Sequence, residues 1–401
     1  MRFLFNKVKN KILNNELENY IMPLYLNLLC TKKLFKGLLR ILHGSILIKK
    51  SKGLGKKLHT ILQLPITNKC NLNCKMCNVP SMNDNKDFSL IDLKNAFEDK
   101  VFSKIKSVGV NGGEPFLKSN LEEYIEVLFS LPNLKEISII SNGVLSSQIL
   151  KKLELIYPMC KNKGVKLNVT FSIDGYGEKH DEIRGIKGSF VKTIDTIKSI
   201  QINKDKYCDN LGVICTISKY NIYSLSELES YFKVNKLTNI SYQLAVQHKR
   251  LDNKGFAEEF SILNDKHMKM IAREFFFSKY CETNEVRYYY IYKYILDNFS
   301  NRMISCMYQS DAITIDASGN LCYCAVESDT IGTINKISIY RQVYDKQNLA
   351  YRKSIIEQKC NDCIHYSDSK TYINSYIEAC LFELNRIKWP YKYLIVGGRM
   401  K

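Results

Sequence analysis

Three cysteines fall in one short run, Lys69-Cys70-Asn71-Leu72-Asn73-Cys74-Lys75-Met76-Cys77. Three thiolates in a single loop are one ligand short of saturating either a tetrahedral zinc or a four-iron cube. A cube held this way keeps one iron open to an outside ligand, and an open position separates a catalytic metal site from a structural one. No nearby fourth Cys or His completes a zinc set. Further along, Cys306, Gly319 and Cys324 are spaced C-x12-G-x4-C, and Cys360-Asn361-Asp362-Cys363 follows after a gap.

The chain that carries these thiols has 401 residues, 14 cysteines and a net charge of +19. That length buries a sizeable core without disulfide staples, so stability does not explain the cysteines. With no signal-peptide pattern at the start, the thiols read as reduced and the protein as cytoplasmic. No apolar run reaches the roughly 18 residues that a membrane span requires. The charge is uneven, because residues 1–57 hold 13 Lys and Arg against 2 Glu, leaving +8 for the remainder. Leu34, Phe35, Leu38, Leu39, Leu42 and Ile46 recur there at helical intervals, with Lys32, Lys33, Lys36 and Arg40 between them. This is an amphipathic pattern, suited either to packing on the rest of the protein or to a peripheral contact at the inner, anionic membrane face.

The elements that position the first cysteine loop follow a β/α alternation. Strands are expected at Thr60–Ile66, Lys106–Val110, Glu136–Ile140, Val165–Ile173, Leu211–Ile217 and Ile240–Leu244. Helices are expected between them at Ile91–Asp99, Leu121–Ser130, Gln148–Tyr157, Phe190–Gln201 and Leu225–Lys233. Such alternation implies parallel strands joined by right-handed crossovers. Two aromatic-rich helical stretches follow, around Glu258–Tyr280 and Glu285–Phe299, and the pattern changes at Arg302. A hairpin is expected at Ile313–Ile315 and Leu321–Tyr323, turned by Asp316-Ala317-Ser318-Gly319-Asn320. The organisation read from this is a basic extension over 1–57, a catalytic core over 58–245, a helical connection over 246–301 and a cysteine-rich module over 302–401.

The C-x3-C-x2-C loop after the first strand resembles that of the radical S-adenosylmethionine (SAM) superfamily. The resemblance implies an α/β fold, a partial (β/α)6 TIM-like barrel, with a small cysteine-rich C-terminal α+β module. It implies a 4Fe-4S cluster on Cys70, Cys74 and Cys77 that reductively cleaves SAM to a 5′-deoxyadenosyl radical. Met76 stands where the family usually has an aromatic residue. Asn111-Gly112-Gly113-Glu114-Pro115 after the second strand is similar to the family's GGEP element. Ser141-Asn142-Gly143 after the third, and Ser172-Ile173-Asp174-Gly175 with His180-Asp181 and Arg184 after the fourth, match further SAM-contacting segments. Gly112, Gly113, Glu114, Pro115, Asn142, Ser172, Asp174, Arg184 and Leu244 are therefore the expected cofactor-binding residues. An Arg fork also suits a carboxylate on chemical grounds.

The second cysteine set resembles the opening of a SPASM domain, but Ser369 and Ile373 occupy positions where that pattern continues with cysteines. The shorter Twitch relative fits better and implies one auxiliary 4Fe-4S cluster on Cys306, Cys324, Cys360 and Cys363. Cys322, which shares the face of Cys324 on a strand, is an alternative ligand, as is Cys380. A four-cysteine zinc site is the structural alternative.

Substrate identity is weakly encoded, since the cofactor carries the chemistry. A small hydroxylated metabolite or sugar derivative, oxidised by an oxidoreductase-like reaction, is the first expectation, and peptide maturation (RiPP) is the second. Cys208, Cys215 and Cys281 are candidate hydrogen donors, and Glu178, His180 and Asp181 are nearby titratable groups. An electron donor such as flavodoxin or ferredoxin is the expected partner. A non-catalytic iron-sulfur module for nucleic acid is the alternative from another class, but the basic stretch lacks the aromatic interleaving that would specify it.

Overall fold

The computed structural model describes residues 57–82, 87–283, 285–298, 302, 306–336, 338–363 and 365. The amphipathic N-terminal stretch and Cys380 lie outside the described residues. Six strands, β1 Ile61–Pro65, β2 Ser107–Asn111, β3 Glu136–Ser141, β4 Lys166–Ser172, β5 Asn210–Ile217 and β6 Ile240–Leu244, pair in parallel with their sequence neighbours. The sheet is open, in the order β6-β5-β4-β3-β2-β1 with three later strands beyond β1.

Helices Leu90–Phe97, Leu121–Leu128, Ser146–Asn162, Ser189–Ile202 and Leu225–Val234 fall in the connections between successive strands. The first is fixed by a capping box: Ser89 Oγ accepts from the Asp92 amide at 3.1 Å and the Asp92 carboxylate accepts from the Ser89 amide at 3.0 Å. The period-2 alternation of the strands divides their side chains. Leu62, Leu64, Val108, Val110, Ile137, Ile139, Val169 and Phe171 are buried in the main hydrophobic core. Their neighbours Gln63, Asn111, Ser172, Thr216 and Gln243 line a cavity instead. The sheet is thus apolar on one face and mixed on the other, where Pro65, Ile140 and Ile214 stand among the polar groups.

The expected hairpin forms, as β7 Ala312–Ile315 antiparallel to β8 Asn320–Cys322, with β9 Gly332–Thr333 beyond. Gly319 takes φ +85°, which its lack of a Cβ permits. The hairpin does not stand apart from the barrel strands. β7 pairs in parallel with β1, Ile61 opposite Ala312 and Gln63 opposite Thr314. The change of pattern at Arg302 is therefore a change of connectivity within one continuous sheet.

Two buried imidazoles couple this fold to pH. His59 and His180 are both fully buried. Burial, with Arg352 near His59 and Arg184 near His180, lowers each to about 3. Both are neutral in the folded protein and take up protons more readily when unfolded. Their contribution is complete above pH 6.5 and is lost as pH falls toward 3, at roughly 1.4 kcal/mol per pH unit for each group. Urea unfolding midpoints at pH 7 and pH 5 should therefore differ more in the parent protein than in His59→Gln. Equal differences would show that His59 does not titrate as its surroundings require.

Candidate active site

The cysteine loop leaves the C-terminal end of β1 and is held from two sides. On one side the amide of Gly113 donates to Thr67 O at 2.7 Å and that of Glu114 to Lys69 O at 2.9 Å. These contacts require glycine: a Cβ on Gly112 would lie 2.3 Å from Thr67 O, and one on Gly113 2.2 Å from Lys69 O. On the other side stands helix Glu178–Arg184, which the strand and helix periodicities do not reveal. Its last carbonyls lack intrahelical donors. Ile183 O accepts from the Lys75 amide at 2.9 Å and Arg184 O from the Asn73 amide at 3.3 Å. Gly185 ends the helix at φ +77°, with room for no Cβ beside Asn73 O.

Cys70, Cys74 and Cys77 face one cavity of about 450 Å³, together with Gly112, Gly113, Asn142, Ser172, Asp174, Arg184 and Leu244. Glu114 and Pro115 sit behind this wall and do not line it. The Glu114 carboxylate accepts from Ser141 Oγ at 2.9 Å and from the amides of Asn142 at 2.8 Å and Phe116 at 3.1 Å. Burial lifts it to about 7 despite those donors. Its part is to tie the β2 and β3 loops together. Asn142 then reaches the cysteine loop, its Nδ2 2.8 Å from Asn71 Oδ1 and 4.0 Å from Cys70 Sγ.

Asp174 and Arg184 form a buried ion pair at 2.7 Å. Arg184 Nη1 also lies 3.8 Å from Cys74 Sγ, and the second Asp174 oxygen accepts from the Thr216 amide at 2.8 Å. Of the other titratable candidates, Glu178 is exposed. Asp181 caps the next helix through Gly188, Ser189 and Phe190. His180 Nδ1 accepts from the Asp174 amide at 3.1 Å. None of these three, nor Cys208, Cys215 or Cys281, lines the cavity.

The thiols suit a cationic iron cluster. Burial pushes Cys70 up to about 12, and Cys74 and Cys77 repel its thiolate as well. Burial raises Cys74 too, against the pull of Arg184, and Cys77, against the Val79 amide, Arg250 and Arg184. Three thiolates in this position call for a positive partner, as a bound metal supplies. Cys306, Cys324, Cys360 and Cys363 line a second, smaller cavity of about 30 Å³. Cys322 does not: the strand ends at Cys322, so the alternation expected to place it on the face of Cys324 does not reach Cys324. Among the described residues no group of three or more His, Cys, Asp or Glu is arranged to hold a single metal ion.

Residues 64–222 match the Radical SAM superfamily model. The chain carries a radical SAM domain. Such a domain works with a 4Fe-4S cluster and SAM. A probable GTP 3′,8-cyclase of Methanocaldococcus jannaschii is 28% identical over 193 residues, 43% of this chain and 62% of its own length. The subtilosin biosynthesis protein AlbA of Bacillus subtilis is 31% identical over 143 residues, 35% of this chain and 30% of its own. This chain spans under two thirds of the length of the curated relatives it matches first. A solved structure, anSMEcpe with bound AdoMet and the Cp18Cys peptide, covers 84% of this chain and 98% of its own at a TM-score of 0.54 and 17% identity. At that identity the likeness is one of fold, and it extends beyond the radical SAM domain into the cysteine-rich part. No helix among the described residues is long and apolar enough to cross a membrane.

Proposed function

We propose that this protein is a radical SAM enzyme that abstracts hydrogen from a peptide, with Cys70, Cys74 and Cys77 holding the SAM-binding cluster. The observation that carries this reading is the convergence of those thiols, Gly112, Gly113, Asn142 and Ser172 on one cavity. When bound, the cluster and SAM supply hydrogen-atom abstraction from an unactivated C–H bond. The chain supplies the rest. The glycine pair brings open backbone up to the cavity, Asn142 fixes the loop beside Cys70, and the cavity-facing side of the sheet offers Ser172, Thr216 and Gln243 as hydrogen-bonding groups. Cys306, Cys324, Cys360 and Cys363 hold one auxiliary 4Fe-4S cluster. Four thiolates saturate it, which suits electron transfer rather than substrate ligation.

For the substrate, support favours a peptide over the small metabolite first expected. The structure of similar fold was solved with a peptide bound, and AlbA belongs to bacteriocin biosynthesis. A nucleotide is the second reading, favoured by the GTP cyclase relative. The test is anaerobic reconstitution, reduction with dithionite and addition of SAM, which should release 5′-deoxyadenosine and methionine. Peptides encoded beside the gene should then lose two hydrogens or carbon dioxide, or take up deuterium from heavy water. Absence of 5′-deoxyadenosine would end the enzyme reading; its release with GTP altered and peptides untouched would select the nucleotide.

A further inference from the structure

After β6 the chain makes a tight turn, Lys249–Leu251, that joins both cysteine sets. The Asn78 amide donates to Leu251 O at 2.9 Å and Asn253 Nδ2 to Met76 O at 2.9 Å, fastening the turn to the first cysteine loop. The Lys249 amide donates to Val326 O at 2.9 Å and the Arg250 amide to Ala325 O at 3.3 Å, fastening it to the second. His248, on the same turn, is held through its amide by Asn253 Oδ1 at 2.8 Å.

This fixed turn presents two polar side chains to the main cavity whose buried nitrogens have no hydrogen-bond partner among the described residues: Arg250 Nη1 and His248 Nδ1. His248 is 8% exposed. His365 and Tyr308 stand beside them, the His248 and His365 rings 6.0 Å apart and the His365 and Tyr308 rings 6.1 Å apart. His365 and Tyr308 also line the smaller cavity, so they form the wall between the two cysteine sets.

The other cavity arginine, Arg184, is neutralised by Asp174. Arg250 has no carboxylate at ion-pair distance among the described residues. The groups whose fields reach it are, largest first, Cys77, Tyr308 and Asp316, and the one carboxylate among them, Asp316, is bound to the Ser318 and Asn320 amides within the hairpin turn. The Cys77 thiolate offsets part of this charge but leaves Nη1 without an acceptor, and charge-assisted hydrogen bonds to an oxyanion are what a guanidinium fork suits.

We propose that Arg250 and His248 form an oxyanion pocket that receives a carboxylate or phosphate group of the substrate. This rests on the cavity being the reaction site of a radical SAM enzyme and adds the chemical class of what enters it. An acidic side chain or C-terminus of a peptide, or the phosphate of a nucleotide, presents that group. Held by a turn fastened to both cysteine sets, the anion fixes the substrate beside the wall formed by His365 and Tyr308.

The test uses the full chain, reconstituted anaerobically and loaded with SAM, titrated calorimetrically with N-acetylglutamate, methyl phosphate and the neutral control N-acetylglutamine. One of the two anions should bind at least about tenfold more tightly than the control, and which one identifies the source. Arg250→Gln should remove that preference and Arg250→Lys should restore part of it, with iron content, cluster absorption and SAM affinity equal to the parent's. The proposal is overturned if neither anion is preferred, or if Arg250→Gln loses iron or SAM in parallel, which would make Arg250 a support of the cluster. Should the parent bind the anion but neither iron nor SAM, the radical reading fails while the pocket stands.

Discussion

Cys74→Ala should lower the iron bound by the first cysteine set from about four per chain to near zero and reduce 5′-deoxyadenosine formation to the background without enzyme. Cys74 is the central thiol of the loop, with Arg184 Nη1 3.8 Å from its sulfur and its neighbours Asn73 and Lys75 bonded to the end of helix Glu178–Arg184. Those backbone bonds do not involve the thiol, so the loop should keep its place while losing a ligand. Circular dichroism should accordingly match the parent's. Cys281→Ser, which lies off both cavities, is the control and should keep iron and activity. An active Cys74→Ala protein with full iron would remove this loop from the chemistry.

Asp174→Ala should cost about 3–5 kcal/mol of stability, because it leaves the Arg184 guanidinium buried without its anion. The side chains of the pair are 1% and 12% exposed, so little solvent screens the loss. Asp174 also accepts from the Thr216 amide, which becomes an unpaired donor. Urea unfolding of the cluster-free protein at pH 7 measures the effect. Replacing both partners, as Asp174→Leu with Arg184→Met, should recover much of the stability, since an apolar pair requires no counter-charge. A loss below about 1 kcal/mol in the single variant would mean that water reaches the pair.

The strands β1–β6 were legible because each is a short β-rich run between helical stretches, and all six fall on or within two residues of the expected segments. The site was legible where chemistry demands particular residues: the thiols at their spacing, and glycines where any Cβ would strike a carbonyl. It was less legible where roles depend on three-dimensional placement. Glu114 sits in a cofactor motif but faces away from the cavity, bonding the β3 loop. Asp174 and Arg184 occur in one motif, yet their pairing depends on a seven-residue helix too short to show a hydrophobic period. Arg250 and His248 belong to no motif, and only the folded turn brings them to the cavity. The pairing of β7 with β1 was hidden for another reason: local pattern predicts a hairpin but says nothing about which distant strand it will extend.

That last pairing bears on how the protein is made. The ribosome releases Ile61 and its partner Ser107 early, but Ala312, which covers the other flank of Ile61, emerges only after the whole barrel half. Throughout that interval the strand leading into the first cysteine loop has unpaired amides and carbonyls along one side, the condition under which nascent chains associate with one another. A polypeptide halted before Ala312 therefore keeps that adhesive border, and chaperone dependence should be greatest for such unfinished chains.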